Sequence, residues 1–301
     1  MAARVPVGAG TTRAAVLGSP VRHSLSPVLH MAGYRELGLV GWSYTAIECD
    51  EHGLAGLLDS VGPDWAGLSL TMPLKRAVLP LLDKAEQLVT DVGAANTVLL
   101  RDGRRLGYNT DVPGMVTALR EAGVASGRDA VILGSGATAC AALAAVRELG
   151  AADVAVAVRS RRRAEPLRQV AARLGVDVRL IYLDAESGLA DPGAAGAATG
   201  PVRGRWRLLI STIPAVGAAA VAAQLEAGAV RPDAVFDVIY DPWPTVLAET
   251  ARAAGIVVIS GYELLVNQAV GQFELMTGKP APVAAMRAAG LAELDRRGNI
   301  R

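Results

Sequence analysis

Runs of apolar residues and their spacing divide this chain into two differently patterned stretches. From Ala14 a short apolar strand, AAVLG, leads into a polar turn, SPVRHSLSP, and the spacing then predicts a helix over 27–37 with Pro27 in its first turn. WSYTAIEC alternates and carries aromatic and β-branched side chains, so it reads as a strand. A helix over 52–60, the strand GLSLTM and a helix starting near Leu74 follow. AANTVLLRD and RRLGYNT form a predicted hairpin with Asp102-Gly103 at its tight turn. Beyond Asp111 the rhythm changes. From Asp129 buried strands alternate with helices: AVILG, a helix over 137–149, VAVAV, a helix over 165–174, then VRLIYL, RLLIST, AVFDVIY and IVVIS. That spacing suits βαβ units and a parallel sheet. The expected fold is α/β with two domains, an N-terminal α/β domain over 13–112 and a doubly wound, Rossmann-type domain over 113–261, with C-terminal helices over 262–287. The Gly-, Ala- and Pro-rich stretch 184–204 is expected to be a short helix or turn plus surface loop, and the tail beyond Arg287 to fray.

Composition narrows the class. The 301 residues are 51% hydrophobic and 20% charged, enough apolar material to offset the entropy of ordering. Aromatics are 4%, so Ala, Val and Leu must fill the core. A net charge of +1 provides no general attraction to nucleic acid or an anionic membrane. Cys49 and Cys140 form no CxxC pair and read as buried thiols, the three histidines give no HExxH pattern, and no metal is predicted. The opening MAARVPVGAGTT reads as a flexible leader rather than a signal peptide. The longest apolar stretches are too broken by Gly and Pro to span a bilayer, so a soluble cytoplasmic protein is expected.

Gly134-x-Gly136-x-x-Ala139 follows a buried strand and opens a helix. Gly134 can make the tight turn, Gly136 can admit a pyrophosphate to the backbone, and Ala139 permits close helix–sheet packing. A purely structural glycine turn is the competing reading. The next strand ends in Arg159, Ser160, Arg161, Arg162 and Arg163, with no acid until Glu165. A guanidinium and a hydroxyl suit a ribose 2′-phosphate, which favours NADP over NAD, with Arg159 foremost. The alternative is a solvated basic helix start.

Before Asp111 four polar clusters flank predicted strands: Ser24-Leu25-Ser26-Pro27, Ser69 to Lys75, Gly93 to Thr97, and Gly107 to Asp111. Convergent polar groups at strand ends can bind a small polyhydroxy acid, although caps and Asx turns explain any one cluster alone. Lys75 and Asp111 are the ionisable pair best suited to proton transfer at a carbonyl; His23 competes for that role.

Together these marks resemble the shikimate dehydrogenase family. GSPVRHSLSPVLH is similar to its serine-bearing substrate loop, SLTMPLK to its Asn-Val-Thr-x-Pro-x-Lys motif, GAANT and GYNTD to its two Asn-Thr motifs, GSGATACA to its cofactor loop, and DVIYDPWPT and GYELLVNQA to its late markers. The resemblance runs from about Ala14 to Gly278. It implies a substrate domain joined to an NADP-binding domain, with the last helices returning to the first domain, and reduction of 3-dehydroshikimate to shikimate. Ser24 and Ser26 would hold the substrate carboxylate. Thr71, Lys75, Asn96, Asp111 and Gln268 would line the ring with Tyr240 nearby, and Lys75 and Asp111 would be catalytic. Gly134, Ser135, Gly136, Ala137, Thr138, Arg159, Ser160 and Arg161 would meet the cofactor, with Val238 and Gly261 near the nicotinamide. Ser69, Met31, Ala137 and Leu264 depart from the family's usual Asn, Asn, Gly and Met. Action on quinate or an aminated analogue with NAD preference, or a non-catalytic NADP-binding regulator, are the alternatives, and the assembly is a monomer or homodimer.

Overall fold

The structure, a computed structural model, describes residues 11–192, 198–201 and 206–298. The leader predicted at the start lies, through residue 10, outside the described residues. Contacts divide the chain into two compact units, Met1–Thr110 with Leu265–Arg297, and chiefly Asp111–Leu264. Among the described residues no helix is long and apolar enough to cross a membrane.

In the first unit β1 (Thr12–Gly18), β2 (Trp42–Glu48), β3 (Trp65–Leu70), β4 (Lys84–Ala85), β5 (Thr97–Arg101) and β6 (Arg104–Tyr108) form one sheet in the order β2-β1-β3-β5-β6-β4. β1 lies parallel to β2 and β3, whereas β5 runs antiparallel to β3 and β6. The predicted hairpin turns at Asp102 and Gly103, both left-handed with φ of 53° and 70°, the geometry that matches strand twist. Helices α1 (Ser26–Glu36), α2 (Leu54–Ser60), α3 (Leu74–Ala77) and α4 (Gln87–Val92) connect the strands. Pro27 occupies the first turn of α1, where its missing N–H leaves no bond unmade. Leu17, Leu54, Leu68, Leu74 and Val98 are wholly buried in this unit's core.

The second unit starts with α5 (Asp111–Glu121) and continues through β7 (Ala130–Leu133), α6 (Ala137–Glu148), β8 (Asp153–Val158), α7 (Glu165–Leu174) and β9 (Asp177–Asp184). β10 (Gly188–Pro192), β11 (Ala198–Pro201), β12 (Leu208–Ser211), α8 (Ala219–Glu226), β13 (Ala234–Asp237), α9 (Val246–Ala253) and β14 (Val257–Ser260) complete it. The sheet order is β11-β10-β9-β8-β7-β12-β13-β14. Its six parallel strands β9-β8-β7-β12-β13-β14 have the doubly wound order whose direction reverses between β7 and β12. Alanines 139, 141, 142 and 145 of α6 are fully buried, which lets this helix lie close on the sheet. The glycine-rich stretch requires a correction. A turn does follow Asp184, whose carboxylate accepts from the Glu186 and Ser187 amides. Beyond it the chain forms the antiparallel edge strands β10 and β11 instead of a surface loop. Gln224 on α8 fixes β10 by accepting from the Leu189 amide at 2.9 Å and donating to the Ser187 and Leu189 carbonyls at 2.8 and 2.9 Å. Residues 193–197 and 202–205 lie outside the described residues.

The chain ends in α10 (Gly261–Thr277) and α11 (Val283–Arg296). The fraying expected beyond Arg287 is also corrected. α11 packs along α1, buries Met286 and Leu294, and is followed by Arg297, whose guanidinium donates to the His23 carbonyl at 2.8 Å. Gly33 makes room for this layer: a Cβ there would sit 2.7 Å from the Phe273 ring.

Candidate active site

The four polar segments meet at one end of the first sheet. Backbone bonds join the chain just beyond the strand ends: Ser19 N–H donates to Met72 at 3.0 Å, Thr71 N–H to Leu17 at 2.9 Å, Ala95 N–H to Lys75 at 2.8 Å, and Asn96 N–H to Tyr108 at 3.1 Å. Ser24 and Ser26 lie in the turn entering α1, where Ser24 Oγ accepts from the Ser26 amide at 3.2 Å. Glu48, at the end of β2, accepts from Ser19 Oγ at 2.7 Å and Val21 N–H at 3.2 Å. Those two bonds hold its carboxyl below the usual carboxylate range. Asn96 Nδ2 donates to Thr110 Oγ1 at 2.8 Å and to Gln268 Oε1 at 3.4 Å, while Thr110 N–H donates back to Asn96 Oδ1 at 2.8 Å. Segments far apart in sequence thus form one polar end.

Lys75 is half-buried in the short helix α3, and its carbonyl ties that helix to the Gly93–Thr97 segment. Thr71 is half-buried just before it. Asp111 is buried and opens α5 directly after Thr110, so the bonded Asn96–Thr110 pair fixes the chain one residue before its carboxylate. His23, the competing proton carrier, is exposed.

In the second unit an open groove of about 540 Å³ runs past the end of β7, lined by Gly134, Ser135 and Gly136, by Arg159, Ser160 and Arg163, and by Thr212 to Pro214. Gly134 turns with φ of 107°, and a Cβ on it would lie 2.7 Å from Thr212 Oγ1, so both backbone and space require glycine. A Cβ on Gly136 would meet nothing within 4 Å, leaving its backbone open to the groove. The first amides of the 12-residue helix α6 have no side-chain cap. Open backbone, uncapped helix amides and exposed Arg159 and Arg163 together fit a dinucleotide bearing an extra phosphate. Arg161 does not line the groove; its guanidinium lies over the Tyr182 ring at 5.8 Å. Ala137 and Thr138 lie in the first turn of α6, outside the lining. Among the described residues no group of three or more His, Cys, Asp or Glu could hold a metal ion.

Val238 and Tyr240 follow β13 on a segment held from both sides. Asp237 is buried, which pushes its carboxyl up, and it accepts from Thr245 Oγ1 at 2.7 Å and Ile239 N–H at 3.3 Å. Gly261 N–H donates to the Ile239 carbonyl at 3.2 Å, and a Cβ on Gly261 would run into the carbonyl of Val238. A Gly261→Ala substitution is therefore expected to destabilise the fold by about 1–3 kcal/mol. Urea unfolding checks this; a wild-type midpoint would remove Gly261 as a packing constraint.

Two family models match the chain: the shikimate dehydrogenase substrate binding domain over residues 16–98 and the shikimate 5′-dehydrogenase C-terminal domain over 261–289. A shikimate dehydrogenase (NADP(+)) from Moorella thermoacetica is 33% identical over 287 residues, covering 94% of this chain and 93% of the relative. The chain belongs to the shikimate dehydrogenase family. Among solved structures, shikimate dehydrogenase from Mycobacterium tuberculosis superposes with a TM-score of 0.79 at 40% identity, over 93% of this chain and 99% of that one. Shikimate 5-dehydrogenase from Thermus thermophilus, in complex with NADP(H) and shikimate, gives 0.73 at 31% identity, over 94% and 99%.

Sequence reasoning missed several residues that organise the polar end. Glu48, Tyr44 and Gln272 stand outside the candidate residues, and Ser69 and Thr97 stand in the polar clusters without a role of their own. The signal for Gln272 was its place four residues after Gln268, one turn along the same helical face. Ser69 bonds a residue 203 positions away, so nothing local could reveal its partner.

Proposed function

We propose that the chain catalyses the reversible, NADP-dependent reduction of 3-dehydroshikimate to shikimate in the cytoplasm, within the pathway to chorismate and the aromatic amino acids. Family membership over nearly the whole chain, together with the cofactor-shaped groove, carries this reading. The substrate-binding catalytic domain is assigned to 13–112 and the NADP-binding domain to 113–261, with the helices of 262–287 returning to the substrate domain. Ser24 and Ser26 hold the carboxylate; Thr71, Asn96 and Gln268 line the ring, with Tyr240 close by. Gly134, Ser135 and Gly136, with Ala137 and Thr138 in the first turn of α6, receive the pyrophosphate, Arg159 and Ser160, beside Arg163, the 2′-phosphate end, and Val238 and Gly261 the nicotinamide.

When bound, NADPH supplies a hydride to the ketone carbon. The chain must deliver one proton to the oxygen as it becomes an alkoxide. The Lys75 ammonium is suited to stabilise that oxygen and pass the proton, and the Asp111 carboxylate to keep Lys75 and a ring hydroxyl oriented. In the reverse direction the same pair removes the hydroxyl proton.

Purified protein is expected to turn over 3-dehydroshikimate rapidly with NADPH and slowly with NADH, followed by loss of nicotinamide absorbance in parallel reactions. Absence of turnover with both would reject the assignment. Charge-assisted hydrogen bonds contribute about 1.5–3 kcal/mol each, so Arg159→Ala is expected to raise KM for NADPH by about 10- to 100-fold. KM for NADH should change little. Equal effects on the two cofactors would place Arg159 away from the 2′-phosphate.

A further inference from the structure

The turn that carries Ser24 is held by two charged side chains from distant parts of the chain. Ser24 N–H donates to the Val21 carbonyl at 2.9 Å, closing a four-residue turn from Val21 to Ser24. Val21 and Leu25 are buried on either side of it, whereas Arg22 and His23 at its tip are exposed. Apolar packing therefore fixes the ends of the turn and leaves the tip to polar bonds. At the entry, Val21 N–H donates to Glu48 Oε2 at 3.2 Å, while Glu48 Oε1 accepts from Ser19 Oγ at 2.7 Å. At the tip, the His23 carbonyl accepts from the Arg297 guanidinium at 2.8 Å. That carbonyl shares one rigid peptide plane with the Ser24 N–H, so Val21 and Arg297 grip the two sides of a single group just ahead of Ser24.

Arg297 is itself set in place. Its Nε donates to Glu293 Oε1 at 2.8 Å, and Arg296 donates to both oxygens of the same carboxylate at 2.8 and 2.7 Å. Those bonds hold the Glu293 carboxyl down to about 2, so it stays ionised around neutral pH. Ser24 is half-buried, and its Oγ accepts from the Ser26 N–H at 3.2 Å, which leaves its own O–H to donate to an anion. We infer that Arg297 and Glu48 are positioning residues for recognition of the substrate carboxylate, acting through the Val21–Ser24 turn to set where the Ser24 hydroxyl stands. The inference rests on the proposed role of Ser24 in holding that carboxylate. It extends substrate recognition to the far end of the chain, since Arg297 lies beyond the C-terminal family match, which ends at residue 289.

The test is a double-mutant cycle in the full chain, read by steady-state kinetics with shikimate and NADP, with thermal melting to check each fold. Ser24→Ala removes the hydroxyl and should raise KM for shikimate about tenfold. Arg297→Ala should raise it about fivefold, with kcat within about twofold and KM for NADP unchanged. In the Ser24→Ala background the same Arg297→Ala change should add less than about 1.5-fold, because the group it positions is gone; a merely structural role multiplies the two effects. Arg297→Lys keeps a cationic donor and should bring KM for shikimate back to within about twofold of wild type. Glu48→Ala should follow the pattern of Arg297→Ala at about threefold, and serves if Arg297→Ala does not fold. A wild-type KM for shikimate in folded Arg297→Ala or Glu48→Ala, a full effect of either in the Ser24→Ala background, or KM for NADP rising alongside overturns the inference while the dehydrogenase reading stands. A wild-type KM in Ser24→Ala overturns the role of Ser24 and the inference with it. A wild type that does not oxidise shikimate overturns the dehydrogenase reading itself.

Discussion

Lys75→Ala is expected to lower kcat for shikimate oxidation by about 10²- to 10⁴-fold while NADP affinity and thermal stability stay close to wild type. The stability half of this expectation follows from how α3 is held. Leu74, wholly buried, anchors it in the core, and the backbone carbonyl of residue 75 accepts from Ala95 whatever side chain the residue bears. The kinetic half follows from the chemistry. Reduction of a ketone creates an alkoxide, and a side chain that both stabilises the charge and supplies the proton acts mainly in the transition state. Asp111→Asn should move kcat in the same direction, with folding assessed separately because Asp111 is buried at the first turn of α5. Stopped-time assays with saturating shikimate and NADP, paired with fluorescence titration of the cofactor, separate the two effects. Wild-type turnover in both variants would remove Lys75 and Asp111 as the proton-transfer pair.

The second large effect concerns acid stability. His30 on α1 is wholly buried, stacked on Tyr44 with ring centroids 4.0 Å apart and planes 10° from parallel, with Tyr34 and Phe273 also against it. Burial lowers its imidazole from 6.5 to about 3, so the folded protein keeps it neutral. The unfolded chain takes up that proton near pH 6.5, and between there and pH 3 it binds more protons than the fold does. Stability is therefore full above about pH 6.5 and falls as the pH drops, by about 3 kcal/mol at pH 4.5 and about 5 kcal/mol at the acid extreme. Urea midpoints of wild type and His30→Phe at pH 7 and pH 4.5 read this directly. The variant retains an aromatic ring in the stack and should lose much less stability on acidification; parallel losses would show that His30 contributes nothing to the acid response.

Much of this molecule was legible in its sequence, and the omissions have physical reasons. The parallel strands β7, β8, β12, β13 and β14 are short apolar runs because both faces of that sheet are covered, and Asp102-Gly103 announced its hairpin through the one pair of residues that readily takes two left-handed conformations. The four polar clusters were visible through their recurrence beside successive strands, since turn chemistry accounts for any one of them alone. β10 and β11 were not visible: their Gly-, Ala- and Pro-rich residues show no alternation, and β10 owes part of its hold to the Gln224 amide of α8 as well as to buried Leu189. α11 was missed in part because its burial depends on α1, more than 200 residues earlier, and sequence spacing carries no record of that partner. At the candidate site the acids, the lysine and the glycines stood out, whereas Gln272 and Thr97 look like ordinary residues until the tertiary bond between them is seen.

The first compact unit takes its residues from both sides of the second, Met1–Thr110 and Leu265–Arg297. During synthesis the sheet strands β1 to β6 emerge first, yet Phe273, Met276, Met286 and Gln272, which complete their core and polar end, emerge after the whole second unit. The contiguous second unit can finish its contacts while the first still waits for α10 and α11. Completion of the first unit thus has to wait for segments translated after the second, and until then the residues that α10 and α11 cover lack that cover. Emergence of α10 and α11, rather than of the strands, becomes the event that completes the first unit.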